Sequence, residues 1–188
     1  MRAVVGLGNP GPSYAFTRHN LGFWVLERLL NASHWELARF PWGEVYRKGG
    51  KFLLRPLTFM NLSGEAVLEF SRRFGVPPSA LLLVYDDVDL PLGEVRLRPS
   101  GGPGTHRGMR SVLEALGTEE VPRLRVGIGP PPSDLDLAQF VLSPPKPEEV
   151  PILNEACDFA AELALVFLEK GLQAALDLFS RRRPARPV

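Results

Sequence analysis

The sequence predicts an α/β fold: one domain in which a mixed, twisted β-sheet carries helices on both faces. Three observations predict it. Apolar runs at residues 3–7 and 80–85 lack polar alternation, as in strands covered on both sides, and residues 124–129 read as a further strand. Stretches with apolar residues at helical spacing, 21–30, 64–74, 106–116 and 148–169, lie between and after those runs. Finally, 188 residues suffice for one substantial core and fall short of two independent domains.

The elements follow in order. Residues 3–7 form a strand closed by Gly8 and the turn tripeptide Asn9-Pro10-Gly11. Asn9, Tyr14, Thr17, Arg18, His19 and Asn20 share one loop, directly before a helix that starts at Leu21 and ends near residues 31–33. Residues 34–42 read as irregular. Strands 44–47 and 52–55 flank Lys48-Gly49-Gly50-Lys51 as a hairpin, and Pro56 closes it. A second polar loop, 57–63, leads to the helix 64–74, which Gly75 and Pro77-Pro78 stop. The strand 80–85 ends in Asp86-Asp87-Val88-Asp89, and Leu90-Pro91-Leu92-Gly93 turns the chain. Residues 94–98 alternate, which puts Arg96 and Arg98 on one face. The glycine-rich loop 100–105 enters the helix 106–116 with Thr105 as its expected N-cap, and Arg123 and Arg125 share a face of the strand after it. Pro130 to Pro132 form a loop, 140–142 read as short and extended, and the helix 148–169 is separated by Gly171 from a last helical stretch ending at Phe179. Residues 1–180 are therefore read as one domain, and 181–188, basic and proline-rich, as a disordered tail.

Composition excludes several classes. Hydrophobic residues make up 45% and charged residues 23%, and no apolar run reaches the roughly 20 residues of a membrane span. Met1-Arg2 leads straight into the first strand, without the three regions of a secretory signal. Cys157 is the single cysteine, so no internal disulfide can form and a cytoplasmic location is expected. A net charge of +1 gives no global attraction to nucleic acid, so any such binding must come from local clusters. Arginine dominates the basic residues, and its planar fork suits phosphate. Arg96, Arg98, Arg123 and Arg125, with Arg107 and Arg110, fall within one supersecondary unit beside a glycine-rich loop. They are candidates for a phosphate-binding surface, with surface pairing to Glu94, Glu114, Glu119 and Glu120 as the alternative.

In open α/β sheets ligands bind beyond the carboxyl ends of the strands. That rule gathers Asn9, His19, Asp86 and, in a neighbouring loop, Asn61 at one rim. At a helix N-terminus the macrodipole opposes an imidazolium, so His19 is expected neutral unless a carboxylate counters it. No Gly-x-Ser-x-Gly elbow, loop cysteine or zinc-ligand spacing is present. Gly6-x-Gly8-x-x-Gly11 has dinucleotide-fingerprint spacing, but Pro10 and Pro12 remove amides and no acidic residue closes a second strand about 20 residues on. A histidine oriented by one carboxylate can deprotonate water, and carboxamides can hold a carbonyl that becomes negative in a tetrahedral intermediate. The residues thus point to ester or amide hydrolysis without a covalent intermediate.

Five motifs carry a more specific resemblance: residues 5–14 (VGLGNPGPSY), 17–22 (TRHNLG), 58–64 (TFMNLSG), 86–91 (DDVDLP) and 125–129 (RVGIG). In order and spacing, from the first strand to about Leu142, the chain resembles the bacterial-type peptidyl-tRNA hydrolases. The resemblance implies hydrolysis of the ester joining a peptide to the ribose of tRNA, which recycles tRNA from abandoned translation. It implies His19 as general base, Asp86 as its orienting carboxylate, and Asn9 and Asn61 as groups that position the peptide or polarise its carbonyl. Tyr14 and Met60 would line the substrate channel. It further implies a monomer that needs neither cofactor nor metal, a peptidyl-tRNA partner, and a preference for substrates whose terminal amine is acylated. The family's glycine-rich loop usually ends Gly-His-Asn-Gly, whereas here it reads Thr105-His106-Arg107-Gly108. Arg107 cannot accept a hydrogen bond, but it can donate to a carbonyl or a phosphate, so it is assigned to substrate binding. The family also tends to carry a lysine where this chain has Ser133-Asp134-Leu135-Asp136. Two alternatives stay open: a non-catalytic RNA-binding relative of the same fold, and hydrolysis of another acyl ester or amide.

Overall fold

In the computed structural model, which describes residues 1–182, seven strands form one mixed sheet. They are β1 (Arg2–Gly6), β2 (Glu36–Phe40), β3 (Gly43–Lys48), β4 (Lys51–Pro56), β5 (Leu81–Pro91), β6 (Val95–Arg98) and β7 (Arg123–Gly129), ordered β2-β3-β4-β1-β5-β7-β6. The central pairs β4-β1, β1-β5 and β5-β7 are parallel and the outer pairs antiparallel. The helices are α1 (Leu21–Ala32), α2 (Ser63–Phe74), α3 (Arg107–Leu116), α4 (Leu137–Val141), α5 (Val150–Lys170) and α6 (Leu172–Arg182).

Strand alternation divides the interior into two cores. On one face Val4, Leu82, Val84, Leu124 and Val126 pack with α1, α5 and α6; on the other Ala3, Val5, Leu81, Leu83 and Tyr85 pack with α2 and α3. Because both faces are covered, the central strands show the continuous apolar runs seen in the sequence. The chain leaves β1 between its two parallel neighbours, β4 and β5, so the crevice at the carboxyl end of β1 lies at the switch point of the topology. Gly22 sets the depth of that crevice. A Cβ there would fall on backbone atoms of Leu7 and Val84, so only glycine lets the first turn of α1 rest directly on the ends of β1 and β5.

Several boundaries differ from expectation. Residues 36–40 form edge strand β2 rather than irregular chain; they were hidden because that strand has no buried position to create an alternating pattern. β5 does not stop at Tyr85 but runs eleven residues to Pro91, so Asp86 lies within the strand, paired in register with Val126 of β7. Residues 140–142, expected to be extended, fall at the end of the short helix α4, whose length is too small to display a helical period. The N-cap of α3 is His106, not Thr105: its side chain accepts the N–H of Met109. Arg181 and Arg182, assigned to the tail, belong to the last turn of α6, where cations complement the helix dipole. Arg182 also pairs with Glu162 at 2.9 Å and lies over the Phe159 ring. The rest of the expected tail, 183–188, lies outside the described residues.

Candidate active site

Three segments place the polar groups. The first joins β1 to α1. There Asn20 clamps Asn9 from both sides: its Oδ1 accepts the Asn9 N–H at 2.9 Å and its Nδ2 donates to the Asn9 carbonyl at 2.9 Å. Asn9 Oδ1 then accepts the N–H of Met60 at 2.8 Å, tying the loop before α2 to the loop before α1. With its oxygen occupied, Asn9 has its amide N–H₂ left as a donor toward the cavity that it lines. The second segment is a 3₁₀ turn, Arg18–Asn20, that carries His19 at the foot of α1. The third is the glycine-rich loop and the start of α3, which bring in His106 and Arg107.

At the centre one buried carboxylate meets two imidazoles. Asp86, 1% exposed, has its Oδ2 2.8 Å from His19 Nδ1 and its Oδ1 3.1 Å from His106 Nε2. The network fixes both tautomers. His106 Nδ1 accepts the Met109 N–H at 3.1 Å, so its proton sits on Nε2 and is donated to Asp86. His19 likewise donates from Nδ1, which leaves the Nε2 lone pair free at the cavity it lines. Burial alone would lower the His19 pKa, and it is the largest single influence. The charge of Asp86 and its hydrogen bond together outweigh it, so the pKa of His19 is raised. The carboxylate expected to counter the helix dipole is thus Asp86. Its own burial favours protonation, but His19 and His106 hold it well below the usual carboxylate range.

His19, Asp86 and His106 offer three atoms within 4.8 Å of one another, a spacing that could hold a metal ion. In this arrangement, however, both facing ring nitrogens present N–H groups to the carboxylate, whereas a metal needs imidazole lone pairs.

The surrounding cavity has a volume of about 440 Å³. Asn9, Tyr14, His19, Met60, Asn61, Asp86 and Arg107 all line it. Tyr14 meets Phe59 edge-on at 6.4 Å, and Met60 is buried beneath the loop, its sulfur against Gly108 at the start of α3. Another part of the wall is made by Leu137, Ala138, Val141 and Leu142 of the α4 segment.

Comparison with known proteins decides the family. The peptidyl-tRNA hydrolase family model matches residues 3–186. The chain belongs to that family. It is 44% identical over 184 residues to a peptidyl-tRNA hydrolase of Pseudothermotoga lettingae, covering 96% of this chain and 97% of the relative. The Thermotoga maritima peptidyl-tRNA hydrolase is 44% identical over 179 residues, covering 94% of this chain and 96% of that protein. The crystal structure of peptidyl-tRNA hydrolase from Acinetobacter baumannii superimposes with a TM-score of 0.89 at 34% identity, over 98% of this chain and 97% of the other. The family fold is therefore the one seen here.

The arginines divide. The register Arg96↔Arg125 and Arg98↔Arg123 puts all four on one face of β6 and β7. Arg98 is exposed, and neither it, Arg107 nor Arg110 has an ion pair among the described residues. Arg96 pairs with Glu94 at 2.5 Å and Arg125 with Asp87 at 3.0 Å. Arg123 departs from the expected phosphate-facing surface: it is 3% exposed and its guanidinium donates to the carbonyls of Gly101, Gly102, Glu119 and Val121. It holds up the glycine-rich loop, and its donors are already used. The site also contains residues to which sequence reasoning gave no role. His106 was visible beside a glycine-rich loop, but its bond to Asp86 crosses twenty positions of chain. Asn20 was seen in the loop, but not as the clamp on Asn9.

Proposed function

We propose that this protein hydrolyses the ester bond between peptide and tRNA in peptidyl-tRNA, by attack of a water that His19 deprotonates. The observation that carries the proposal is the 2.8 Å His19–Asp86 bond, which leaves Nε2 unprotonated in a cavity lined by amide and guanidinium donors. In this reading His19 Nε2 takes the proton of a water as it attacks the ester carbonyl, and Asp86 stabilises the imidazolium that forms. The negative oxygen of the tetrahedral intermediate is met by N–H groups drawn from Asn9, Asn61 and Arg107. Collapse expels the ribose oxygen, to which His19 returns the proton, so no covalent enzyme intermediate is needed. Tyr14 and Met60 form part of the wall of the substrate cavity. Arg98, and Arg96 and Arg125 beyond their carboxylate partners, offer the cations for tRNA phosphates.

The role is recycling of tRNA from stalled translation by a cytoplasmic monomer. None of the described helices is long and apolar enough to cross a membrane. The test is incubation with N-acetylated and with free aminoacyl-tRNA, measuring acyl release from each. Faster release from the acetylated substrate supports the reading. Tight binding of both with release from neither would identify a non-catalytic RNA-binding protein instead.

A further inference from the structure

One guanidinium beside the proposed catalytic histidine spends both its terminal nitrogens on protein groups and none on the substrate cavity. Arg18 is 4% exposed. Its Nη1 donates to Ser143 Oγ at 2.7 Å and to the Phe140 carbonyl at 3.2 Å, and its Nη2 pairs with Glu149 at 2.9 Å. Its plane lies over the Phe140 ring at 4.1 Å, and its own backbone N–H donates to the Ser143 carbonyl at 3.1 Å. The partners are themselves tied together. Ser143 Oγ donates to the Phe140 carbonyl at 2.7 Å, and Glu149 accepts the Lys146 N–H at 2.8 Å. These groups lie between the end of α4 and Glu149, the N-cap of α5, and α4 is the segment whose Leu137 and Ala138, with Val141 and Leu142, line the cavity.

Two features say what that wall receives. From Pro130 to Pro145 the chain has no lysine or arginine, but has Asp134 and Asp136, and Asp136 lines the cavity. Such a wall repels phosphate and suits an acyl group, and of the three arginines without an ion pair among the described residues only Arg107 lines the same cavity, contributed by the start of α3 and not by this wall. Second, the segment leading into α4 is mostly exposed and contributes little packing, so the wall's position depends on its anchorage at the other end, through Phe140, Ser143 and Glu149. Removing the guanidinium alone would leave the Phe140 carbonyl, the Ser143 hydroxyl and the Glu149 carboxylate without their donor, although a buried ion pair as such adds little net stability over apolar packing. What the charge provides is direction: one planar group fixes two backbone carbonyls, a hydroxyl and a carboxylate at set distances.

We propose that Arg18 is a positioning residue that holds the α4 wall at a fixed distance from His19, and that this wall sorts substrates by the size of the esterified amino acid's side chain. The inference rests on the assignment of the cavity as the peptidyl-ester site. Arg18 does not touch the reacting atoms; it acts through Phe140, Ser143 and Glu149.

The test uses the full chain with Glu149→Gln, which keeps an acceptor but removes the charge, and Ser143→Ala, which removes one acceptor. Arg18→Lys keeps the charge but loses the fork. Two readouts are taken. Amide hydrogen exchange across residues 137–142 should accelerate at least tenfold in Glu149→Gln, with core protection in β1 and β5 unchanged. The ratio of kcat/KM for N-acetyl-alanyl-tRNA over N-acetyl-phenylalanyl-tRNA should change at least fivefold, while the pH dependence of kcat stays that of the wild type. Should Arg18→Lys fail to fold, the other two variants carry the test. Unchanged exchange in 137–142, or equal losses on both substrates, overturns the inference. A wild-type protein that cleaves neither substrate overturns the functional assignment instead, and the exchange measurement still reads the tie.

Discussion

Replacing Asp86 by Asn perturbs the site through tautomers rather than through charge alone. His106 can only donate to residue 86, because Met109 N–H occupies its Nδ1. The amide oxygen of an asparagine would therefore face His106, and the amide N–H₂ would face His19 Nδ1, 2.8 Å from the present oxygen. His19 must then accept at Nδ1 and carry its proton on Nε2, which turns the water-activating atom into a donor. Loss of a positioned general base lowers kcat by about 10²–10⁴-fold, equivalent to about 3–5 kcal/mol at 1.36 kcal/mol per decade. The acid limb of the pH–rate profile moves as well. In the wild type the His19 pKa is raised, so activity is gained as pH climbs through a value above 6.5. Without the Asp86 charge, burial is the surviving influence and lowers that pKa, so the limb of the residual activity moves toward acid. Initial rates on N-acetyl-aminoacyl-tRNA between pH 5 and 9 measure both effects. A kcat within threefold of wild type and an unmoved limb would refute the assignment of His19 as base and of Asp86 as its orienter.

Four further outcomes are expected. His19→Ala should leave the fold and tRNA binding nearly intact, with a lowered melting temperature because buried Asp86 loses one partner, while lowering turnover by about 10²–10⁴-fold, and near-normal turnover would remove His19 from the chemistry. Arg98→Ala and Arg125→Ala should raise KM for full-length peptidyl-tRNA with little change in kcat, flatten the salt slope of log affinity by about 0.7–0.9 each, and spare a short peptidyl-nucleotide ester; equal losses on both substrates would place them in the site or the fold. Arg123→Ala, by contrast, should lower the melting temperature by an amount equivalent to about 1–3 kcal/mol, because buried carbonyls of the glycine-rich loop lose their donor, and a melting curve matching that of Arg98→Ala would contradict this. The pair His19–Asp86 also links stability to pH. Asp86, with a folded pKa below its unfolded 3.8, stabilises the protein above about pH 4, and that stabilisation is lost as pH falls through the folded value; melting of Asp86→Asn should be less acid-sensitive between pH 4 and 2 than that of the wild type.

Much of the fold was legible because local pattern is physics the chain carries with it. Residues 3–7 and 80–85 announce buried parallel strands by unbroken apolar runs, and helices such as 64–74 announce themselves by period and by a stop glycine, Gly75, which adopts the left-handed conformation at the end of α2. Edge strand β2 and the five-residue α4 escaped for the same reason in reverse, since neither buries a repeating face long enough to leave a pattern. Residue types at the strand ends also put Asn9, His19, Asp86 and Asn61 at one rim, since the carboxyl ends of parallel strands share an edge. What no spacing could reveal is which atoms meet there. The His19–Asp86 bond spans 67 positions and the Asp86–His106 bond twenty, and both exist only once β5 has been laid between β1 and β7. The same holds for the arginines: alternation put Arg96 with Arg98 on one strand face and Arg123 with Arg125 on another, but the register joined the two faces, and burial left Arg98 exposed without an ion pair among the described residues and made Arg123 a buttress for a loop. Sequence determines what each residue can donate, accept or bury, because those properties are local. Which partner it finds is decided by the closing of the sheet and the packing of helices on it, because only that brings distant groups within a hydrogen bond's length.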